Sequence, residues 1–290
     1  MNNRFSVFAL IPMLMLLAWT GSLQAEEIPR HRLQVRLFPQ KASLEVVDNL
    51  LLPKAMIGQP LSFRLAAGLE ITSVHGAKVE KVKAAAALGQ PTLSDEEFGR
   101  QETQSYQLVA ERKNVMINYR GRISNALESA GEEYSRSFQR SAGIIGADGV
   151  VLAGSSCWVP RVNDLCTFSL TVHNPPAWDA VSQGSRKYGV TTGKDPQVIW
   201  NCDHPTDEIY LIAAEFSTYE SQAGNVKAYA YLRSADDKLA NQYLEVTSQY
   251  IEMYRGLLGA YPYEKFALVE NFWETGYGMP SFTLLGSSVI

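Results

Sequence analysis

Histidine and cysteine are scarce in this chain, and charge of either sign is thin. His31, His75, His173 and His204 are the only histidines in 290 residues; no two are four apart and none lies beyond residue 204. That spacing excludes a helix on which two histidines at i and i+4 share a face and grip one metal. The three cysteines include no Cys-x-x-Cys pair, which leaves no ligand pattern for a structural zinc. A formal net charge of -4 and a pI near 5.7 provide no basic field, which argues against nucleic acid or an anionic membrane surface as partner. With 46% hydrophobic and 19% charged residues the chain is globular in composition, long enough for one large domain or two smaller ones.

One unbroken apolar run stands at the start, from Phe5 to Trp19 after the single charge of Arg4. It leads into Gly21-Ser22-Leu23-Gln24-Ala25, the small-residue exit of a secretory signal cut after Ala25. The run is short for a span of about 20 residues. Residues 1–25 are therefore expected to be a signal peptide, with the rest exported to the periplasm or outside the cell and not stably inserted in a membrane. Export makes the cysteines candidate disulfide partners. Cys157 and Cys166 flank a segment in which two strands and a Pro/Asn/Asp turn would bring them face to face, leaving Cys202 over. Three buried thiols is the equal alternative.

From His31 to Pro39, Leu33, Val35 and Leu37 alternate with Arg32, Gln34 and Arg36, the period of a strand with one buried face. Short strands punctuated by Pro53, Gly58 and Pro60 follow, and the pattern predicts a sandwich or curved open sheet. Residues 84–104, with acidic Asp95, Glu96 and Glu97, read as a surface excursion, and 128–139 as a polar insertion. Trp158, Trp178 and Trp200 read as sheet core rather than stacking platforms. The stretches 207–218 and 226–232 read as a hairpin joined at 221–225. At Ser234 the period changes: Ser234 with Asp237 fits a capping-box variant, and Leu239, Tyr243, Val246, Tyr250, Tyr254 and Leu257 recur at helical spacing until Gly259. An all-β unit over 26–234 and a second unit over 235–290 are expected.

The last thirty residues, Tyr261 to Ile290, hold two apolar strand segments around Gly276, Gly278 and Pro280, which let the backbone bend and come close to a neighbour. They end in mid-element, so the 290 residues are expected to be the front part of a longer protein.

Two groups of residues carry a resemblance. One is Gly149 to Pro160, Phe168 to Pro175, Trp178 to Gly184 and Val198 to Trp200. The other is Tyr261-Pro262-Tyr263, Lys265, Val269 and Gly276-Tyr277-Gly278-Met279. Together they resemble the M1 family of zinc metallopeptidases, related to aminopeptidase N. The resemblance implies an all-β, saddle-like N-terminal domain followed by the start, a helix plus strands, of a thermolysin-like α+β catalytic domain. It implies that Gly276, Tyr277, Gly278, Met279 and Pro280 lie along a cleft for a peptide or protein substrate, where an extended chain pairs with an exposed strand edge. It also implies zinc for the full-length protein. Two departures matter. Pro280 and Ser281 stand where the family's Gly-x-Met-Glu-Asn loop has its amine-holding Glu and its Asn. The His-Glu-x-x-His helix is absent, so this chain is expected to bind no catalytic zinc and to hydrolyse nothing by itself.

Three functions compete. The first is the N-terminal part of an exported M1-like peptidase. The second is a non-catalytic periplasmic peptide-binding or assembly protein. The third, a carbohydrate-binding sandwich, needs exposed indole rings at Trp158, Trp178 or Trp200. Glu270 and Glu274 flank the glycine bend; Glu270 reads as a strand-end carboxylate and Glu274 as a turn residue, with a substitute amine anchor at Glu274 as the sharper alternative.

Overall fold

Alternation sets the first strand as the sequence predicts: Arg30–Phe38 buries Leu33, Val35 and Leu37 and turns Arg32, Gln34 and Arg36 to solvent. The structure is a computed structural model, described here over residues 27–83, 98–129, 138–187 and 197–290. The expected signal peptide, the acidic patch at 95–97 and residues 130–137 of the polar insertion lie outside these residues.

The chain is mainly β, with one long helix among the described residues. The largest sheet has seven strands in the order Ser185–Lys187, Gln197–Thr206, Cys166–His173, Arg30–Phe38, Ser43–Leu51, Asn114–Arg122 and Leu69–His75. Its first strand in sequence pairs in parallel with Cys166–His173, Leu33 opposite Leu170, while its other neighbours run antiparallel. A four-stranded sheet and a three-stranded sheet share one continuous core with it, built on Trp158, Trp200, Phe63, Phe168 and Tyr119.

The remaining large sheet has five strands, ordered Ser217–Ala223, Val226–Leu232, Lys265–Glu270, Phe282–Leu285 and Gly276–Met279. Val226–Leu232, Lys265–Glu270 and Phe282–Leu285 run parallel; Gly276–Met279 returns antiparallel at the edge. The hairpin at 217–232 thus shares a sheet with the C-terminal strands. Leu211–Glu215, placed by sequence in the same hairpin, belongs instead to the four-stranded sheet beside Gly149–Leu152 and Trp178–Val181. Glu215 and Ser217 belong to strands in different sheets, and that change of sheet within three residues carries no distinctive sequence signal.

Helix α1, Asp237–Leu258, covers the outer face of the five-stranded sheet. Its cap is Asp236, whose Oδ1 accepts from the Leu239 amide at 2.9 Å, so the N-cap falls two residues after the expected Ser234. Gly259, at φ 97°, ends it, with its amide donating to the Arg255 carbonyl at 3.1 Å.

None of the three cysteines forms a disulfide, which corrects the Cys157–Cys166 pairing. Cys157 ends a one-turn helix at φ 46°, half-buried, and its carbonyl accepts from Ala66. The segment after it contains no strand before Cys166, so no hairpin brings the two thiols together. Cys166 points into the core near Cys202 on the neighbouring antiparallel strand. Burial, helped by the Asp48 carboxylate, pushes the Cys166 thiol up to about 12.

Candidate substrate edge

Pro280 and Ser281 close the hairpin on the Met279–Phe282 pair. Ser281 has φ 70°, the left-handed second position of a turn with proline first. Antiparallel pairing alternates, so a hairpin closed on Met279 and Phe282 directs the amides and carbonyls of Gly278 and Gly276 away from the sheet. Both glycines are exposed, and nothing lies within 4 Å of a Cβ built on Gly278. At Gly276 such a Cβ would stand 3.2 Å from the Phe138 ring. The side chains that alternate with them face inward: Met279 is buried and the Tyr277 ring packs 4.3 Å from Phe98. Sequence reasoning read Gly276 to Pro280 as a bend between two strands; the structure makes Gly276–Met279 the outermost strand of the sheet and leaves Pro280 in the turn that follows it.

The bend is anchored from below by residues that sequence reasoning missed. Ser281 is buried; its Oγ accepts from the Gly184 amide at 3.2 Å, and its carbonyl accepts from the Ala267 amide and from Lys265 Nζ, each at 3.1 Å. Lys265 itself is 1% exposed, with Nζ 4.9 Å from the Trp200 ring and 4.8 Å from the Phe282 ring. Burial holds its amine well below the ordinary lysine range, against a small opposing pull from Cys202. The available signal was a lysine opening the otherwise apolar run Phe266 to Val269.

Both flanking carboxylates are already engaged by the protein. Glu274 accepts from Ser287 Oγ at 2.9 Å, from the Ser288 amide at 3.2 Å and from Ser288 Oγ, and these bonds hold its pKa below the ordinary range. Gly286 is required beside it, since a Cβ there would lie 2.5 Å from Glu274 Oε2. Glu270 Oε2 accepts from the Arg233 amide at 2.7 Å. Two neighbours carry unspent polarity. Asn271 is 3% exposed with both side-chain polar atoms lacking a protein partner, and the buried Thr275 hydroxyl also lacks one.

His31 is sealed in the core with its Nδ1 2.8 Å from Asp48 Oδ2, and the His204 ring packs against Tyr263. Among the described residues no group of three or more His, Cys, Asp and Glu is placed to hold a metal ion. Trp158 and Trp200 are buried, their indole N–H groups donating to Ile209 and Ala180 carbonyls, so neither is a stacking platform; Trp178 is half-buried. No described helix is long and apolar enough to cross a membrane.

No protein-family profile and no curated protein matches the chain by sequence. Solved structures do match. The M1 zinc metallopeptidase of Deinococcus radiodurans superposes with a TM-score of 0.61 at 13% identity, over 89% of this chain and 59% of that one. Yeast LTA4 hydrolase gives 0.60 at 13% identity over 90% and 40%. An aminopeptidase N family protein from Idiomarina loihiensis gives 0.52 at 12% over 89% and 42%. The chain therefore shares its fold with part of each of these structures, and it spans less than two thirds of their length.

Proposed function

We propose that this chain is the β-domain and first cleft wall of an exported M1-like zinc metallopeptidase, and that a peptide substrate adds as a strand along Gly276–Met279. The observation that carries this is the outer edge of that strand, which pairs with no strand among the described residues and has open space over Gly278. The zinc and its water-activating carboxylate would come from elsewhere in the full-length protein, so the chain alone binds peptide without cleaving it. The cleft wall offers no free carboxylate for a substrate amino terminus: Pro280 takes the place of the family's Glu, and Glu274 is bonded to Ser287 and Ser288. Substrates with a blocked or internal amino end should therefore be accepted as readily as free ones.

Calorimetric titration with an extended pentapeptide and its N-methylated copy tests strand addition. The plain peptide should bind and the N-methylated one should not; equal binding by both would sink the proposal. The second reading, a non-catalytic peptide-binding or assembly protein, rests on the same edge. The two separate on the coding sequence beyond Ile290: an open frame with His-Glu-x-x-His favours the peptidase, a stop codon the binding protein.

A further inference from the structure

The strand Gly276–Met279 has one face filled by the core and one left bare by its glycines. Tyr277 and Met279 turn into the large core, so a side chain at position 276 or 278 would stand on the opposite face. Over Gly278 that face is open, with nothing within 4 Å of a built Cβ. Over Gly276 it is walled, because a Cβ there would lie 3.2 Å from Phe138 Cε2 and 3.6 Å from its Cζ. Phe138 is half-buried and stands at the end of the polar insertion, to which the sequence assigned no role. The next residue fixes it beside the edge: the Gln139 amide donates to the Glu274 carbonyl at 2.9 Å, and the Gln139 carbonyl accepts from the buried Trp273 indole at 3.1 Å. Gln139–Arg140 is in turn paired with Glu128–Ser129.

A strand added along this edge sets alternate residues opposite Gly278 and Gly276, and each sends its side chain to the face that its glycine leaves bare. Opposite Gly278 such a side chain meets no Cβ and lies on naked backbone, which an aromatic ring covers and a methyl group does not. Its diagonal neighbour is Gly276, about 7–8 Å away and within reach of an aromatic side chain, and there the Phe138 ring stands. Resting on the strand-addition reading above, we propose that Gly278 and Phe138 form a subsite for an aromatic side chain on the substrate residue that pairs with Gly278. The ring lies over the glycine as floor, and its edge meets Phe138 as wall. The substrate class is an extended peptide with Phe, Tyr or Trp at that one position.

The test is calorimetric titration of the full chain with Thr-Thr-Phe-Thr-Thr and Thr-Thr-Ala-Thr-Thr, two peptides that offer the same backbone. The Phe peptide should bind about tenfold more tightly. Phe138→Ala should remove most of that preference and leave the affinity for the Ala peptide unchanged, a shift in selectivity that a general loosening of the fold would not give. Gly278→Asp, which sets a carboxylate where the ring would lie, should remove the preference as well. Equal binding of the two peptides by the unmodified chain overturns the subsite and leaves strand addition standing. A preference that survives in either variant, or equal weakening of both peptides by Phe138→Ala, also overturns it. Binding of neither peptide overturns strand addition and the subsite with it.

Discussion

The two faces of the five-stranded sheet are built from the same strands and are filled differently. Along Val226–Leu232, Tyr229 and Tyr231 point into the large core, where they stack 5.8 Å apart, with Val269, Phe282 and Leu284 beside them. The intervening Ala228, Ala230 and Leu232 point the other way, to Ala240 and Leu244 of helix α1. Alanines let the helix approach closely, but its fully buried residues, Ala240 and Leu244, lie in its first half, and beyond them Ile251 is the helix residue that packs on the sheet. Beyond Leu244 it carries Tyr250, Met253, Tyr254, Leu257 and Leu258 in the open, and Tyr250, Tyr254 and Leu258 wall a cavity of about 520 Å³ with Tyr261 and Phe266. The inner face is a finished interior and the outer one an apolar surface, which is how unevenly hydrophobic packing is spread over one sheet.

Substitutions should reproduce that unevenness. The largest effect is expected at Trp200→Ala, which empties a fully buried indole site and removes its bond to Ala180. The loss should be about 3–5 kcal/mol by urea denaturation. On the helix side, Leu258→Ser should stay within about 0.5 kcal/mol, because that side chain is 81% exposed. A loss at Leu258 as large as at Trp200 would erase the contrast. Second in size is Arg186→Met. Arg186 pairs with both oxygens of Asp179 at 2.9 and 3.0 Å and donates to Tyr231, tying the four-stranded sheet and the seven-stranded sheet to the inner face. Removing it strands a carboxylate only 15% exposed, for about 1–3 kcal/mol.

Alkaline titration sharpens the same comparison through the inner core. An unfolded thiol loses its proton near 9.0, while folded Cys166 keeps its own to about 12 and Cys202 to about 11. Between those values the native state binds more protons than the unfolded one, so stability falls as pH rises from about 9. Lys265 works in the opposite sense: the unfolded amine holds a proton that the buried one refuses, so its contribution rises until the pH passes 10.5. Cys166→Ala should flatten the alkaline fall and Lys265→Met should steepen it, both followed by thermal melts at pH 8 to 11. Asp236→Ala should cost about 1 kcal/mol from the lost cap of α1, more than Leu258→Ser and less than either core substitution.

Much of this was legible in the residues. Period-two alternation gave the first strand almost to the residue, and helical spacing gave α1, because one-sided burial imposes those periods directly. Leu239 and Tyr243 could be placed from spacing alone, whereas the buried Ala240 and Leu244 were not read from it. What could not be read was partnership between distant segments. The hairpin at 217–232 has the same pattern whichever sheet it joins, and nothing local in Cys157 to Cys166 shows that the chain between them forms no strand. The substrate edge was readable as glycines around a proline; its support by Gly184 and Lys265 was not, since both contacts cross long stretches of sequence.

The parallel pairing of Arg30–Phe38 with Cys166–His173 has a bearing on how the protein is made. The first strand to emerge has its antiparallel neighbour Ser43–Leu51 at once, yet its other edge stays open until His173 has been synthesised. Closing so distant a contact is slow, and an unpaired edge invites foreign strands in the meantime. The same delay makes the interval before closure the period in which a chaperone has the most to protect.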